Sequence, residues 1–210
     1  MKKLALLFFF LFALGSVFAQ QKAVTETGDE VVLYSDGTWK YVNQSSARDT
    51  LIPVNHHKFK KDKANTFLLK SKVVDVGFWV NPKLWSFKKG DANESAEYKF
   101  QYKLGDLYGM VITEQIQVPL KSFKSIALEN GRKAAPDLKV VDQQYRTVNG
   151  HKVLFLQMDG TIQGIKFSYY GYYYSDKTGS VQFITYTAQQ TMDQYKKVCD
   201  DLLNGLVVLN

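Results

Sequence analysis

The chain has 210 residues, with 27 Lys and Arg against 20 Asp and Glu for a formal charge of +7, and a single cysteine, Cys199. This length accommodates one domain of ordinary size and a small appendage. One cysteine excludes an intrachain disulfide framework, so a hydrophobic core must hold the fold, and the modest basic excess without a dense stripe argues against nucleic-acid binding.

Lys2 and Lys3 precede an apolar run from Leu4 to Leu14, and small residues close the segment at Ala19 before Gln20. The basic start, an apolar stretch short of the roughly 20 residues a spanning helix needs, and the Val17-Phe18-Ala19 site predict a secretory signal over residues 1–19. An uncleaved anchor is the alternative. Cleavage would remove Lys2 and Lys3 and lower the formal charge from +7 to +5. The mature form is then expected to lack a membrane span, and with Cys199 as the sole cysteine a lipid anchor is not expected either. The ending Phe18-Ala19-Gln20 resembles signals of Gram-negative envelope proteins, which implies the periplasm or the extracellular space.

Residues 20–42 predict a β-hairpin centred on Val31 to Tyr41, because Asp36-Gly37 between alternating strands suits a two-residue type I′ turn. That register sets Tyr34 opposite Trp39 and Val32 opposite Tyr41. An isolated hairpin is marginal in water, so its aromatic face is expected to dock either on the main domain or on a partner, which makes Trp39 a candidate contact. The Asp36-Gly37-Thr38-Trp39 turn also resembles a short segment recurrent after the signal in exported bacterial proteins. Residues 43–65 read as a basic linker with Arg48, Lys58, Lys60, Lys61 and Lys63. His56 and His57 are adjacent there, without a carboxylate or cysteine at ligand spacing, so no metal is expected.

Residues 66–210 predict the core domain. Strands are expected near Lys72 to Val80, Ala96 to Tyr102 and Leu107 to Gln117, then a helix beginning near Pro119 and stopping at Gly131. A four-strand meander follows: Val140 to Val148, turning at Asn149-Gly150 into His151 to Met158, then Ile165 to Tyr174 and Val181 to Ala188. Alternation puts Phe167, Tyr169 and Tyr173 on one side of the third strand and Tyr170, Tyr172 and Tyr174 on the other. Apolar residues on both sides imply cover on both. The last helix carries a stripe of Met192, Tyr195, Val198, Cys199, Leu202 and Leu203, with a capping box at Thr191 and Gln194 and a stop at Gly205. Cys199 in that stripe is expected to be a packed thiol.

This order of elements resembles the PsbP-like superfamily, and individual segments fit: Gly77-Phe78-Trp79-Val80-Asn81-Pro82-Lys83-Leu84-Trp85, the Val148-Asn149-Gly150 hairpin, Tyr172 to Ser180, and Leu202-Leu203-Asn204-Gly205-Leu206. The resemblance covers about Phe67 to Leu209. It implies an α+β fold, a mainly antiparallel sheet flanked by helices on both faces (an α/β/α sandwich), preceded by the small N-terminal hairpin. It also implies a non-catalytic accessory or binding role, as in photosystem lumenal proteins, a Ran-binding nuclear import factor and many exported bacterial proteins. It brings no active site and no cofactor.

Two functions follow as expectations. The first is an accessory protein of the bacterial envelope that binds an envelope protein or a glycan through Trp39 and the tyrosines Tyr170, Tyr172 and Tyr174, which otherwise lie under a helix or the hairpin. The second is a hydrolase or isomerase assembled only in the fold from Asp106, Glu114, Asp142, His151 and Asp159.

Overall fold

A computed structural model describes residues 21–24, 30–42, 52–91 and 95–209. The expected signal at 1–19 lies outside the described residues. The chain divides into two compact units, Met1–Asp49 and Thr50–Asn210.

In the first unit, β1 (Gln21–Val24), β2 (Glu30–Leu33) and β3 (Trp39–Tyr41) form an antiparallel sheet in that order. The expected hairpin is β2 with β3, but its register differs by one residue: Leu33 faces Trp39 and Val31 faces Tyr41. The cause lies in the turn. A type I′ turn needs positive φ at both central residues, and here only Gly37 takes it, at 81°. The Asp36 carboxylate instead accepts from the Thr38 N–H at 2.8 Å and hydroxyl at 2.6 Å, while the Tyr34 N–H donates to the Thr38 carbonyl. The loop therefore has three residues, and Trp39 shares a face with Leu33 and Val31 rather than with Tyr34.

The second unit is built on an eight-stranded sheet. Its members in chain order are β4 (Val54–Phe59), β7 (Trp85–Lys89), β8 (Ala96–Tyr102), β9 (Tyr108–Glu114), β10 (Lys139–Val148), β11 (His151–Ile162), β12 (Ile165–Asp176) and β13 (Gly179–Ala188). In space they run β4-β10-β11-β12-β13-β9-β8-β7. All neighbours are antiparallel except β4, which lies parallel to β10. A second sheet, in the order β14-β6-β5, joins β5 (Phe67–Lys70), β6 (Val76–Val80) and β14 (Leu206–Val208). Two α-helices occur among the described residues, α1 (Phe123–Arg132) and α2 (Met192–Leu203).

Local chemistry explains the meander. Asn149 at φ 48° and Gly150 at 89° close a type I′ turn, which sets Tyr145 opposite Leu154 and Val148 opposite His151. Gln163 at 51° and Gly164 at 81° repeat the device between β11 and β12.

Two hydrophobic cores follow from the alternation. Tyr170, Tyr172, Phe155 and Phe183 project to one side, where they meet Met192, Cys199, Leu202 and Leu203 of α2 together with Val76, Phe78 and Val80 of the second sheet. On the other side Leu154, Leu156, Tyr173 and Ile184 pack with Phe123 and Ala127 of α1. Each large apolar side chain so buried contributes about 1.5–3 kcal/mol.

Several expectations need correction. The stretch 43–65 is not a plain linker: 54–59 is β4, an edge strand whose pairing partner lies far along the chain, so its weak alternation did not reveal it. His56 and His57 sit on that strand, both exposed. The helix after Pro119 starts with a 3₁₀ turn at Leu120–Ser122 and runs past Gly131 to Arg132; at Gly131 the end of the Leu138 side chain occupies the place a Cβ would take. No capping box forms at Thr191. Its hydroxyl donates to the Ala188 carbonyl at 2.9 Å, satisfying a preceding 3₁₀ turn instead of the helix start. Each face of the sheet meets one short helix, the 10-residue α1 on one side and α2 beside the small β14-β6-β5 sheet on the other.

Candidate functional site

The tyrosines proposed as a surface are core. Tyr170, Tyr172 and Tyr174 are 3%, 0% and 7% exposed, because α2 and the second sheet lie over that face. The expectation of an open platform there is therefore corrected. Trp39 is 51% exposed within the N-terminal sheet.

Two of these tyrosines serve a buried polar network around Arg146. The Arg146 guanidinium, 7% exposed, donates from Nη1 to Asp200 Oδ1 at 2.9 Å and to the Tyr172 hydroxyl at 3.1 Å. Tyr170 donates to the same Asp200 oxygen at 2.8 Å, and Tyr172 donates to Asn204 Oδ1 at 3.0 Å. With the Gln144 amide oriented oxygen-inward, Nε and Nη2 of Arg146 donate to it at 3.1 and 2.7 Å. The guanidinium carbon lies 3.9 Å from the Phe155 ring centre and 4.8 Å from that of Phe59. Burial opposes the charge, but the surrounding Tyr172 and Tyr170 hydroxyls and the Asp200 carboxylate outweigh it, and the Arg146 pKa rises above its ordinary value. Four of the five guanidinium N–H groups are thus engaged by Asp200, Tyr172 and Gln144, and the network ties β4, β10, β12 and α2 together.

The candidate acids and bases do not line a small cleft among the described residues of the second unit. That cleft, of about 130 Å³, is bordered by Asp62, Asn65, Asn81, Trp85, Val198 and Asp201. Ligand sites usually need ≈ 300–1,000 Å³, and its polar groups are already engaged: Asp62 caps the Ala64 N–H, Asn65 donates to the Asp201 carbonyl, and Asp201 pairs with Lys197 at 2.9 Å. Asp106, Glu114 and Asp142 are exposed. Asp159 accepts from Ser168 and Gln189, and His151 stacks edge-on against Tyr174 at 6.0 Å. No group of three or more His, Cys, Asp or Glu could hold a metal among the described residues.

Cys199 is fully buried, and burial pushes its thiol up to about 12. We expect no reaction with an aromatic disulfide reagent at neutral pH until the chain unfolds. Stoichiometric labelling of the folded protein within minutes would contradict this placement.

A different set of aromatics is available at the surface. Register aligns Ser86 (β7), Gln101 (β8), Tyr108 (β9), Tyr186 (β13) and Tyr169 (β12) in one row across the sheet. Tyr108 and Tyr186 stack at 5.7 Å and 23°, Tyr169 meets Tyr186 edge-on at 5.9 Å, and Phe167 meets Tyr169 edge-on at 4.7 Å. All four rings are half-buried, while Ser86 and Gln101 are exposed. The row lies on the α1 side of the sheet, to which Met110 and Ile184 also point, but Tyr108 and Tyr186 belong to neither buried core. Burial, with Tyr186 alongside, raises the Tyr169 pKa, so its phenol stays protonated as a donor. Lys88 and Lys99 stand opposite each other one step along the same face.

Tyr169 was legible as lying on this side of its strand, and the Asp176 to Gly179 turn would have aligned it with Tyr186. Tyr108 was not, because only the non-local β9–β13 pairing brings it in.

The fold is α+β, built on a mostly antiparallel sheet with two short helices among the described residues. No family model matches the chain, and no curated protein matches its sequence. Among solved structures, it is similar to cyanobacterial PsbP (CyanoP) from Synechocystis sp. PCC 6803, with a TM-score of 0.53 and 12% identity over 70% of this chain and 94% of that one. A protein of unknown function from Pseudomonas aeruginosa, PA94, described as a putative regulator, gives 0.44 and 13% over 69% and 97%. LpqN of Mycobacterium tuberculosis, described as involved in cell envelope biogenesis, gives 0.43 and 9% over 64% and 83%. At 12% identity the likeness to CyanoP shows a PsbP-like fold and nothing beyond it. No helix among the described residues is long and apolar enough to cross a membrane.

Proposed function

We propose that this chain is an exported accessory protein of the bacterial envelope that binds a partner on the Tyr108–Tyr186–Tyr169 row and catalyses no reaction. The row carries the reading: tyrosines offer a large contact area with a polar tip at low entropic cost, and four aromatic rings in mutual contact on a sheet face form the kind of patch that marks an interaction site. Export is supported by the basic, apolar and small-residue pattern of residues 1–19. In this reading α1 and α2 act as the two covers of an α/β/α plan, residues 20–42 form a separate appendage, and Trp39 is a second contact.

Two measurements test it. Expressed in a Gram-negative host, the chain should appear in the periplasm with a mass that starts at Gln20; a full-length product confined to the cytosol refutes export. The purified protein should co-sediment with isolated envelope, and Tyr108→Ala with Tyr186→Ala should lower the bound fraction severalfold at an unchanged thermal midpoint. Retention indifferent to both substitutions refutes the binding face.

A further inference from the structure

The partner's chemistry is written beside the tyrosines. Lys88 and Lys99 are directly opposite in the β7–β8 register, so two side chains that carry ammonium groups share this end of the face. Lys99 is opposite Met110 and Gln101 is opposite Tyr108, so Lys99 stands diagonal to the ring row, about 7–8 Å away. Lys88, Ser86 and Gln101 are exposed, and Gln182, opposite Ile112 on β13, lies half-buried on the same face. The face thus reads, from β7 to β12, two ammonium groups, a hydroxyl and an amide, then three tyrosines.

Protein interfaces are depleted in Lys and Ser at their centres, whereas here those residues border the rings directly. A ligand matching this order has an anionic end, hydroxyls along its length and flat apolar ring faces. Strands spaced 4.8 Å apart place β9 and β12 about 10 Å from each other, the span of two or three linked ring units.

We propose that the face binds an acidic oligosaccharide, with sugar rings against Tyr108, Tyr186 and Tyr169 and a carboxylate at Lys88 and Lys99. The inference rests on the binding face assigned above and adds its ligand class. Screening at high salt should weaken the lysine contribution and spare the stacking.

The test is calorimetric titration of the full chain with three probes: an oligogalacturonate hexamer, a neutral glucan hexamer and a hexamer of glutamate. The uronate should bind, with the neutral glycan and the glutamate peptide each at least about tenfold weaker. Lys88→Gln with Lys99→Gln should bring the uronate down to the neutral glycan, and Tyr108→Ala should abolish both. Should Tyr108→Ala fail to fold, Tyr108→Leu keeps apolar volume while removing the ring. Equal binding of glutamate peptide and uronate overturns the sugar component, and equal binding of neutral and acidic glycan overturns the lysine component. No uronate binding, or binding that ignores all the substitutions, overturns the proposal outright. If envelope retention still depends on Tyr108 and Tyr186 while the uronate is ignored, the ligand class fails and the binding face stands.

Discussion

Asp200→Ala destabilises the protein by roughly 3–5 kcal/mol, while Arg146→Met costs only about 1–2 kcal/mol. The asymmetry follows from who is left behind. The Arg146 side chain is 7% exposed and the Asp200 side chain 30% exposed. Removing Asp200 takes the counter-charge from a nearly buried guanidinium and also takes the acceptor from Tyr170. Removing Arg146 leaves a carboxylate that water can hydrate, and methionine fills the space against Phe59 and Phe155 with an apolar chain. Urea unfolding of the two variants decides it. If Arg146→Met costs as much as Asp200→Ala, the burial difference does not set the energetics of this pair. The same network explains why the tyrosines of β12 split by parity: Tyr170 and Tyr172 present hydroxyls to Asp200 and Asn204, so their density reflects a clamp on α2 rather than a contact surface.

What the sequence revealed was local. The Asn149-Gly150 turn set the β10–β11 register to the residue, and the turn from Asp176 to Gly179 set β12 on β13, because short turns with positive φ leave few alternatives. At Asp36-Gly37 the same reasoning failed by one residue, since a side-chain bond from Thr38 favoured a three-residue loop that the dipeptide alone does not reveal. The long-range partners were out of reach. Nothing in Val54 to Phe59 announces a parallel partner in β10, nothing in Tyr108 announces β13, and the closing strand β14 is defined only by β6. Alternation showed that β12 has two aromatic faces without showing which would be covered by α2. The candidate contact was therefore assigned to the even-numbered tyrosines, and two of the three tyrosines in the row on the other face, Tyr108 and Tyr186, went unread.

The closing strand yields the second large effect. Gly205→Ala should cost about 2–4 kcal/mol, combining overpacking with a lost hydrogen bond. Gly205 does not have positive φ; its constraint is space. A Cβ there would collide with the Trp79 carbonyl oxygen, which is backbone and cannot swing aside, and would lie 2.9 Å from the Leu202 carbonyl oxygen. Relief by moving the chain breaks the Trp79 N–H bond to the Gly205 carbonyl, 2.8 Å, at the start of the β6–β14 pairing. It also disturbs the Asn149 side chain, which donates to the Asn204 and Leu206 carbonyls at 2.8 Å each and so ties the central hairpin to the C-terminal strand. Gly150 and Gly164 are the contrast, with φ of 89° and 81° and open space around a Cβ. Alanine there meets only the left-handed backbone penalty of about 1–2 kcal/mol. Thermal unfolding of the three variants, read with hydrogen exchange at Trp79, separates the mechanisms: Gly205→Ala should expose the Trp79 amide well below global unfolding, whereas Gly150→Ala and Gly164→Ala should leave it protected. Equal losses at all three positions with the Trp79 amide protected in each would mean that the close approach of Gly205 to β6 does not hold the C-terminal strand.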